Sequence, residues 1–161
     1  MRGEKENSLN KKKTGFKKIL VPTDFSASSK AALDYAAVIA EAFQSEIALI
    51  HVIDSLAYSV TDTLIVVDHQ AALKATAEAL IDNLYKECIE RGLSATKAVV
   101  DGTPYREIIK KAEAEQVDLI VMGTHGRTGF ERLLLGSVAE KVVRMSSAPV
   151  LTVRSPEMQK E

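Results

Sequence analysis

The chain has one cysteine, Cys88, no tryptophan, and only 5% aromatic residues over its 161 positions. A single thiol excludes an internal disulfide framework and suits a reducing compartment. No apolar run approaches the roughly 20 residues that span a bilayer. The N-terminus has no apolar stretch of the kind that forms a secretory leader. The expectation is a cytoplasmic chain with no membrane partner. Charge of one sign is lacking too: 21 Lys and Arg face 22 Asp and Glu, for a formal net charge of −1. Such a balance gives no global field for nucleic acid or anionic lipid, and Lys11-Lys12-Lys13 reads as a solvated terminus. The Walker A pattern GxxxxGK[ST] is absent, as is GxGxxG, which excludes the two commonest phosphate fingerprints. No cluster of His, Cys and Asp has metal-ligand spacing, so no protein metal site is expected. No nucleophile–base pair is placed for phosphoryl transfer either, so no catalytic residue is assigned.

What is present is a steady alternation of short apolar runs and helical stripes. Residues 1–15 read as a disordered polar tail, 16–154 as one domain and 155–161 as a second polar tail. Lys17 to Val21 is a strand stopped by Pro22, and Ser26 or Ser28 is the N-cap of a first helix running to about Phe43. Its inner face is Leu33, Ala36, Ala37, Ala40 and Phe43. Glu46 to Ile53 is nearly continuously apolar, as a central parallel strand should be, and His51 inside it reads as a satisfied core residue. Asp54 to Asp68 reads as a connection. From Leu73 a stripe through Ala77, Leu80, Ile81, Leu84 and Cys88 is helical, with Gly92 as its C′ residue. Cys88 on that stripe is a packing residue. Ala95 to Val100 is a third strand, after which Thr103 caps a helix with Pro104 at its first position. Leu119 to Met122, a helix from about Ser137 to Met145, and Pro149 to Val153 complete the chain. The pattern defines an α/β fold: an open five-stranded parallel sheet with helices on both faces, Rossmann-like in plan. Ligands in such sheets lie beyond the carboxyl ends of the strands.

One of those ends stands out. After Met122 the chain breaks into a loop with Gly123, Gly126 and Gly129, then re-forms as a helix at Ser137. Strand, glycine loop and helix start together present N–H groups to an anion, most often a phosphate. Ser137 with Glu140 three residues on also reads as a capping box, which would explain both residues without a ligand. The glycines could likewise serve a flexible loop. Asp24 at a neighbouring strand end favours binding over either bland reading.

These residues resemble the universal stress protein family over roughly Phe16 to Arg154. The family's G-x2-G-x9-G-[ST] pattern is present as Gly123, Gly126, Gly136 and Ser137. Pro22-Thr23-Asp24-Phe25-Ser26, His51-Val52 and Ala148-Pro149-Val150-Leu151 also resemble family features. The resemblance implies an adenine-nucleotide α-hydrolase-like fold and the ATP-binding branch of the family. It implies that Pro22, Thr23 and Asp24 meet the adenosine, and that Val52 lies against the adenine. Met122 and Gly123 would line the ribose. Gly126 and Arg127 would serve the phosphates from the loop, with His125 beside them, and Gly136, Ser137, Val138 and Ala139 would do so from the helix start. Ala139 lacks a hydroxyl that relatives offer there. ATP, AMP or ADP is the implied cofactor, with Mg²⁺ arriving on the nucleotide. The implied role is a stress-response regulatory module with slow or partner-dependent hydrolysis; an ATP-hydrolysing or adenylating enzyme of the same fold is the alternative. A homodimer through the edge strand at 149–153 is implied as well, and that apolar edge invites pairing on its own account.

Overall fold

The computed structural model describes residues 15–54, 63–124 and 135–154, with side chains in the second segment described from residue 70. Elements follow in the order β1 (Lys18–Pro22), α1 (Ala27–Phe43), β2 (Glu46–Asp54), α2 (Thr63–Glu90), β3 (Ala95–Gly102), α3 (Pro104–Ala114), β4 (Leu119–Gly123), α4 (Ser137–Met145) and β5 (Val150–Val153). The strands form one five-stranded sheet in the order β3-β2-β1-β4-β5, and every pairing is parallel. Strand order reverses between β1 and β4, which makes their carboxyl ends the switch point at which such sheets hold ligands.

Alternation along the strands sends successive residues to opposite faces and so builds two cores. Ile19, Val21, Ile47, Leu49 and Val121 join α1 and α2 on one face. Leu20, Ala48, Ile50, Ile120 and Met122 join α3 and α4 on the other. Alanines 32, 36, 37 and 40 of α1 are at most 1% exposed, so the helix lies close against the sheet. The first helix is capped by Ser26, whose side chain accepts from the Ser29 N–H. Gly92, at φ 77°, ends α2 in a Schellman motif: its N–H donates to the Ile89 carbonyl and that of Leu93 to the Cys88 carbonyl. Cys88 is buried on α2, and burial pushes its thiol pKa up, which suits packing and not reactivity.

Three expectations change. Helix α2 starts at Thr63, ten residues before Leu73; the run Leu64 to Val67 is rich in β-branched residues, which have low helix propensity and read as strand or loop. Phe43 is 50% exposed and Leu80 38%, so neither is on a buried face. Phe43 sits at the last turn of α1 and packs edge-on against Phe16, with ring centroids 5.4 Å apart. The third change concerns Ser137 and bears on the site.

Candidate functional site

The turn between β1 and α1 is built by its own side chains. Thr23 N–H donates to the Ile50 carbonyl at 2.9 Å, extending the β1–β2 ladder by one residue. The Thr23 hydroxyl accepts from the Phe25 N–H at 3.0 Å and meets the Ser29 hydroxyl at 3.2 Å. Asp24 Oδ1 accepts from both the Ser26 N–H, at 3.1 Å, and the Ser26 hydroxyl, at 2.6 Å. The turn thereby holds Phe25 at φ 65°, a conformation that costs a non-glycine residue energy.

The end of β4 is fixed differently. Thr124 N–H donates to the Val153 carbonyl at 2.9 Å, and its own carbonyl accepts from the Gly136 N–H at 2.6 Å. That bond holds Gly136 extended, at φ −69° and ψ 159°, and makes it the N-cap of α4. Ser137 is therefore the first helical residue and not the cap. Among the described residues no side chain caps this helix, and Glu140 instead faces Arg144 at 3.7 Å. The expected capping box is absent because Gly136, which has no side chain, occupies the capping position. The N–H groups of Ser137, Val138 and Ala139 precede the first helical bond, which runs from Glu140 N–H to the Gly136 carbonyl.

Gly123 has a packing role. A Cβ built there would lie 2.5 Å from the Ser28 hydroxyl and 2.8 Å from the Ser28 carbonyl carbon. Only a residue without a side chain lets β4 and α1 approach so closely.

Between these two strand ends lies a cleft of about 200 Å³. Pro22, Thr23 and Asp24 line it from the β1 end, Val52 from β2, Met122 and Gly123 from β4, and Gly136, Ser137, Val138 and Ala139 from the start of α4. The fold thus brings together these residues singled out in the sequence. His125, Gly126 and Arg127 lie outside the described residues. Five further lining residues were not anticipated: Ser29, Ile50, Pro104, Ile108 and Thr124. Ile50 was legible, since it is two residues from Val52 on the same strand and so shares its face. Thr124 was legible as the residue after Gly123. Ile108 and Pro104 depend on α3 crossing above β2, which spacing alone does not fix.

Chemically the cleft has an apolar floor of Ile50, Val52, Ile108 and Met122, suited to a flat ring. Asp24 is the sole ionisable side chain among its described lining residues. The start of α4 opens into it, and a helix N-terminus carries roughly half a positive charge on its unsatisfied N–H groups. Among the described residues no group of three or more His, Cys, Asp or Glu could hold a metal ion. No helix among them is long and apolar enough to cross a membrane.

An α/β sheet with a part-apolar, part-amide cleft at its switch point is the plan of the doubly wound class of proteins, which hold their ligands there. The universal stress protein family model matches residues 15–154, and the chain belongs to that family. It is 37% identical over 154 residues to universal stress protein MJ0577 of Methanocaldococcus jannaschii, covering 86% of this chain and 95% of the relative. The solved structure of MJ0577 superposes with a TM-score of 0.79, over 86% of this chain and 95% of that one. A universal stress protein solved in complex with cAMP is similar at TM-score 0.67 and 24% identity, covering 88% and 99% of the two chains. A family protein from Arabidopsis thaliana with AMP bound is similar at TM-score 0.65 and 21% identity, covering 90% and 95%. These last two likenesses establish the fold.

Proposed function

We propose that this chain binds an adenine nucleotide, ATP before AMP or ADP, in the cleft at the β1–β4 switch point. On this reading it acts as a cytoplasmic regulatory module of the stress response and not as an enzyme. The observation that carries the reading is the uncapped start of α4. Helix α1 uses the Ser26 side chain to satisfy its first turn, whereas α4 has a bare glycine at that position and aims its first N–H groups into the cleft. Phosphate oxygens are the natural acceptors for such a site. The apolar floor would take the adenine, with Val52 against it, while Pro22, Thr23 and Asp24 would meet the adenosine. Met122 and Gly123 would line the ribose. His125, Gly126 and Arg127, which complete the glycine pattern in sequence, would act with Gly136, Ser137, Val138 and Ala139 on the phosphates. Mg²⁺ would be carried in by the phosphate oxygens and neutralise their charge. Two proteins of this fold hold adenine nucleotides, cAMP in one and AMP in the other, which agrees with the reading.

The same proposal includes a homodimer paired through β5. That strand is at one end of the sheet, Leu151 on it is 37% exposed, and the preceding helix exposes Val143 and Met145. Sedimentation of the purified chain as a dimer would support this part, and a monomer at micromolar concentration would overturn it.

The nucleotide is tested by calorimetric titration of wild type and Ser137→Asp with Mg·ATP, alongside mass identification of any molecule released by heating the purified protein. Asp is a good residue for the first turn of a helix, so the fold is retained while a negative charge enters the mouth of the cleft. We expect wild-type binding in the micromolar range and a loss of about tenfold or more in the variant, the scale of one like-charge contact at intermediate dielectric. Absence of wild-type binding at millimolar ATP overturns the reading. Turnover of ATP by the pure protein would move it to the enzyme class.

A further inference from the structure

His51 stands on the side of the sheet away from the cleft. Its neighbours Ile50 and Val52 line the cleft, so alternation along β2 turns the histidine to the α1–α2 face. Its ring is nevertheless tied to the cleft's wall. Nδ1 lies 2.8 Å from the carbonyl oxygen of Thr23, and the ring packs on that of Phe25 with centroids 4.5 Å apart at 32°. A carbonyl only accepts, so Nδ1 carries the proton in this contact.

The geometry assigns His51 as a positioning residue for the nucleotide cleft, bracing the Pro22–Phe25 turn from behind. This rests on the nucleotide reading above. Thr23 has its N–H fixed by the Ile50 carbonyl and its hydroxyl by the Phe25 N–H. The His51 bond fixes the remaining backbone group, its carbonyl, and with it the plane of the Thr23–Asp24 peptide. Phe25 is in the left-handed region at φ 65°, where it persists only if its surroundings over-determine it. The His51 ring supplies part of that support by stacking. The turn that presents Thr23 and Asp24 to the ligand is thus held from β2 by a side chain that does not line the cleft.

The test compares His51→Leu, His51→Asn and His51→Gln. The Asn amide nitrogen is the same number of bonds from Cα as Nδ1, so it can donate to the Thr23 carbonyl. The Gln amide matches Nε2 instead and cannot donate from that place. Three measurements are made on each protein: the urea midpoint, Mg·ATP affinity, and exchange rates of the amides of residues 23–26 without ligand. The ¹⁵N shifts of the His51 ring in the wild type report its tautomer. We expect the Nδ1–H form, and exchange faster by about tenfold or more at the Phe25 amide in the Leu and Gln variants, as for a locally opened turn. ATP affinity should fall by about tenfold in those two, as for one lost positioning contact, and recover to within about threefold of wild type in Asn. Folded Leu and Gln variants that bind and exchange like wild type would overturn the assignment. So would an Asn variant as impaired as Leu at equal stability, or an Nε2–H tautomer. If the wild type binds no ATP, the nucleotide reading fails separately, and the ligand-free exchange rates alone decide whether His51 braces the turn.

Discussion

The two faces of the sheet are built from the same alternating strands, yet one is sealed and the other is open. On the α1–α2 face the packing continues to the carboxyl ends of the strands: α1 starts directly after the β1 turn, Ser28 presses on Gly123, and Phe25 packs on the core below it and on the His51 ring. On the α3–α4 face the helices are shorter, 11 and 9 residues, and between their starts lies the cleft. The capping follows the same division. Helix α1 satisfies its first turn from within the chain, while α4 presents its first turn to the cleft. Close packing and the proposed binding therefore fall largely to opposite faces, joined by strand residues that serve both.

The division is broken most strongly from the sealed face. Leu49 is fully buried there, and Leu49→Ala should cost about 3 kcal/mol through lost burial and the cavity left behind. Urea unfolding reads that loss, while ATP affinity of the folded protein should stay within about twofold of wild type if the faces are independent. A larger affinity change would show that the cleft depends on packing across the sheet. Gly123→Ala acts where the faces meet. Its Cβ would collide with both the hydroxyl and the backbone of Ser28, so a rotamer change alone cannot relieve it. We expect a loss of about 2 kcal/mol, typical of overpacking, together with weakened nucleotide binding, because Gly123 also lines the cleft. An Ala variant as stable as wild type would reassign the glycine from close packing to the loop.

How much of this was written in the sequence differs by element. The strand ends at Pro22 and Met122, the cap at Ser26 or Ser28 and the Gly92 stop are local features, carried by residue types whose backbone chemistry has few alternatives, and they were legible; the strand order that makes β1 and β4 neighbours was not. The start of α2 was not legible either, because Ile65, Val66 and Val67 are β-branched and by propensity favour extended backbone. Ser137 misled for a more specific reason. Serine followed three residues later by glutamate is the ordinary capping pattern, but the cap was settled by a hydrogen bond between Gly136 and Thr124, residues twelve apart. Sequence pattern ranks local partners and has no view of that one. The same limit explains Ile108 and Pro104, which line the cleft only through the placement of a whole helix. His51 was legible as a satisfied polar residue in a strand, and its partner was not, since Thr23 lies on the neighbouring strand's end.

The smallest expected effect concerns whether the open face has binding charge anywhere but in the cleft. At the opposite end of α3, Glu115 pairs with Lys111 at 2.5 Å and with Lys18 at 3.2 Å, and Lys18 also reaches Glu46 at 2.9 Å. The hydrogen bond from Lys111, and secondarily that from Lys18, hold the Glu115 carboxyl below the usual carboxylate range against the opposing effect of burial. A carboxylate whose pKa is depressed on folding binds fewer protons in the native state, so its contribution to stability is complete above the unfolded value of 4.5 and is lost as pH falls through the folded one. Glu115→Gln should therefore lower stability at neutral pH by about 1 kcal/mol or less, as for partly exposed pairs. The gap between variant and wild type should close as the pH drops below about 4.5, as linkage requires. Urea midpoints of both proteins measured across the acid range check the sign, and a gap that widens on acidification would contradict it. Mg·ATP affinity at neutral pH should be unchanged, because the network lies at the amino ends of the strands and the cleft at the carboxyl ends. A strengthened affinity, the direction expected when a negative charge is removed, would mean that the potential in the cleft is set by the charge distribution of the whole open face and not by the start of α4.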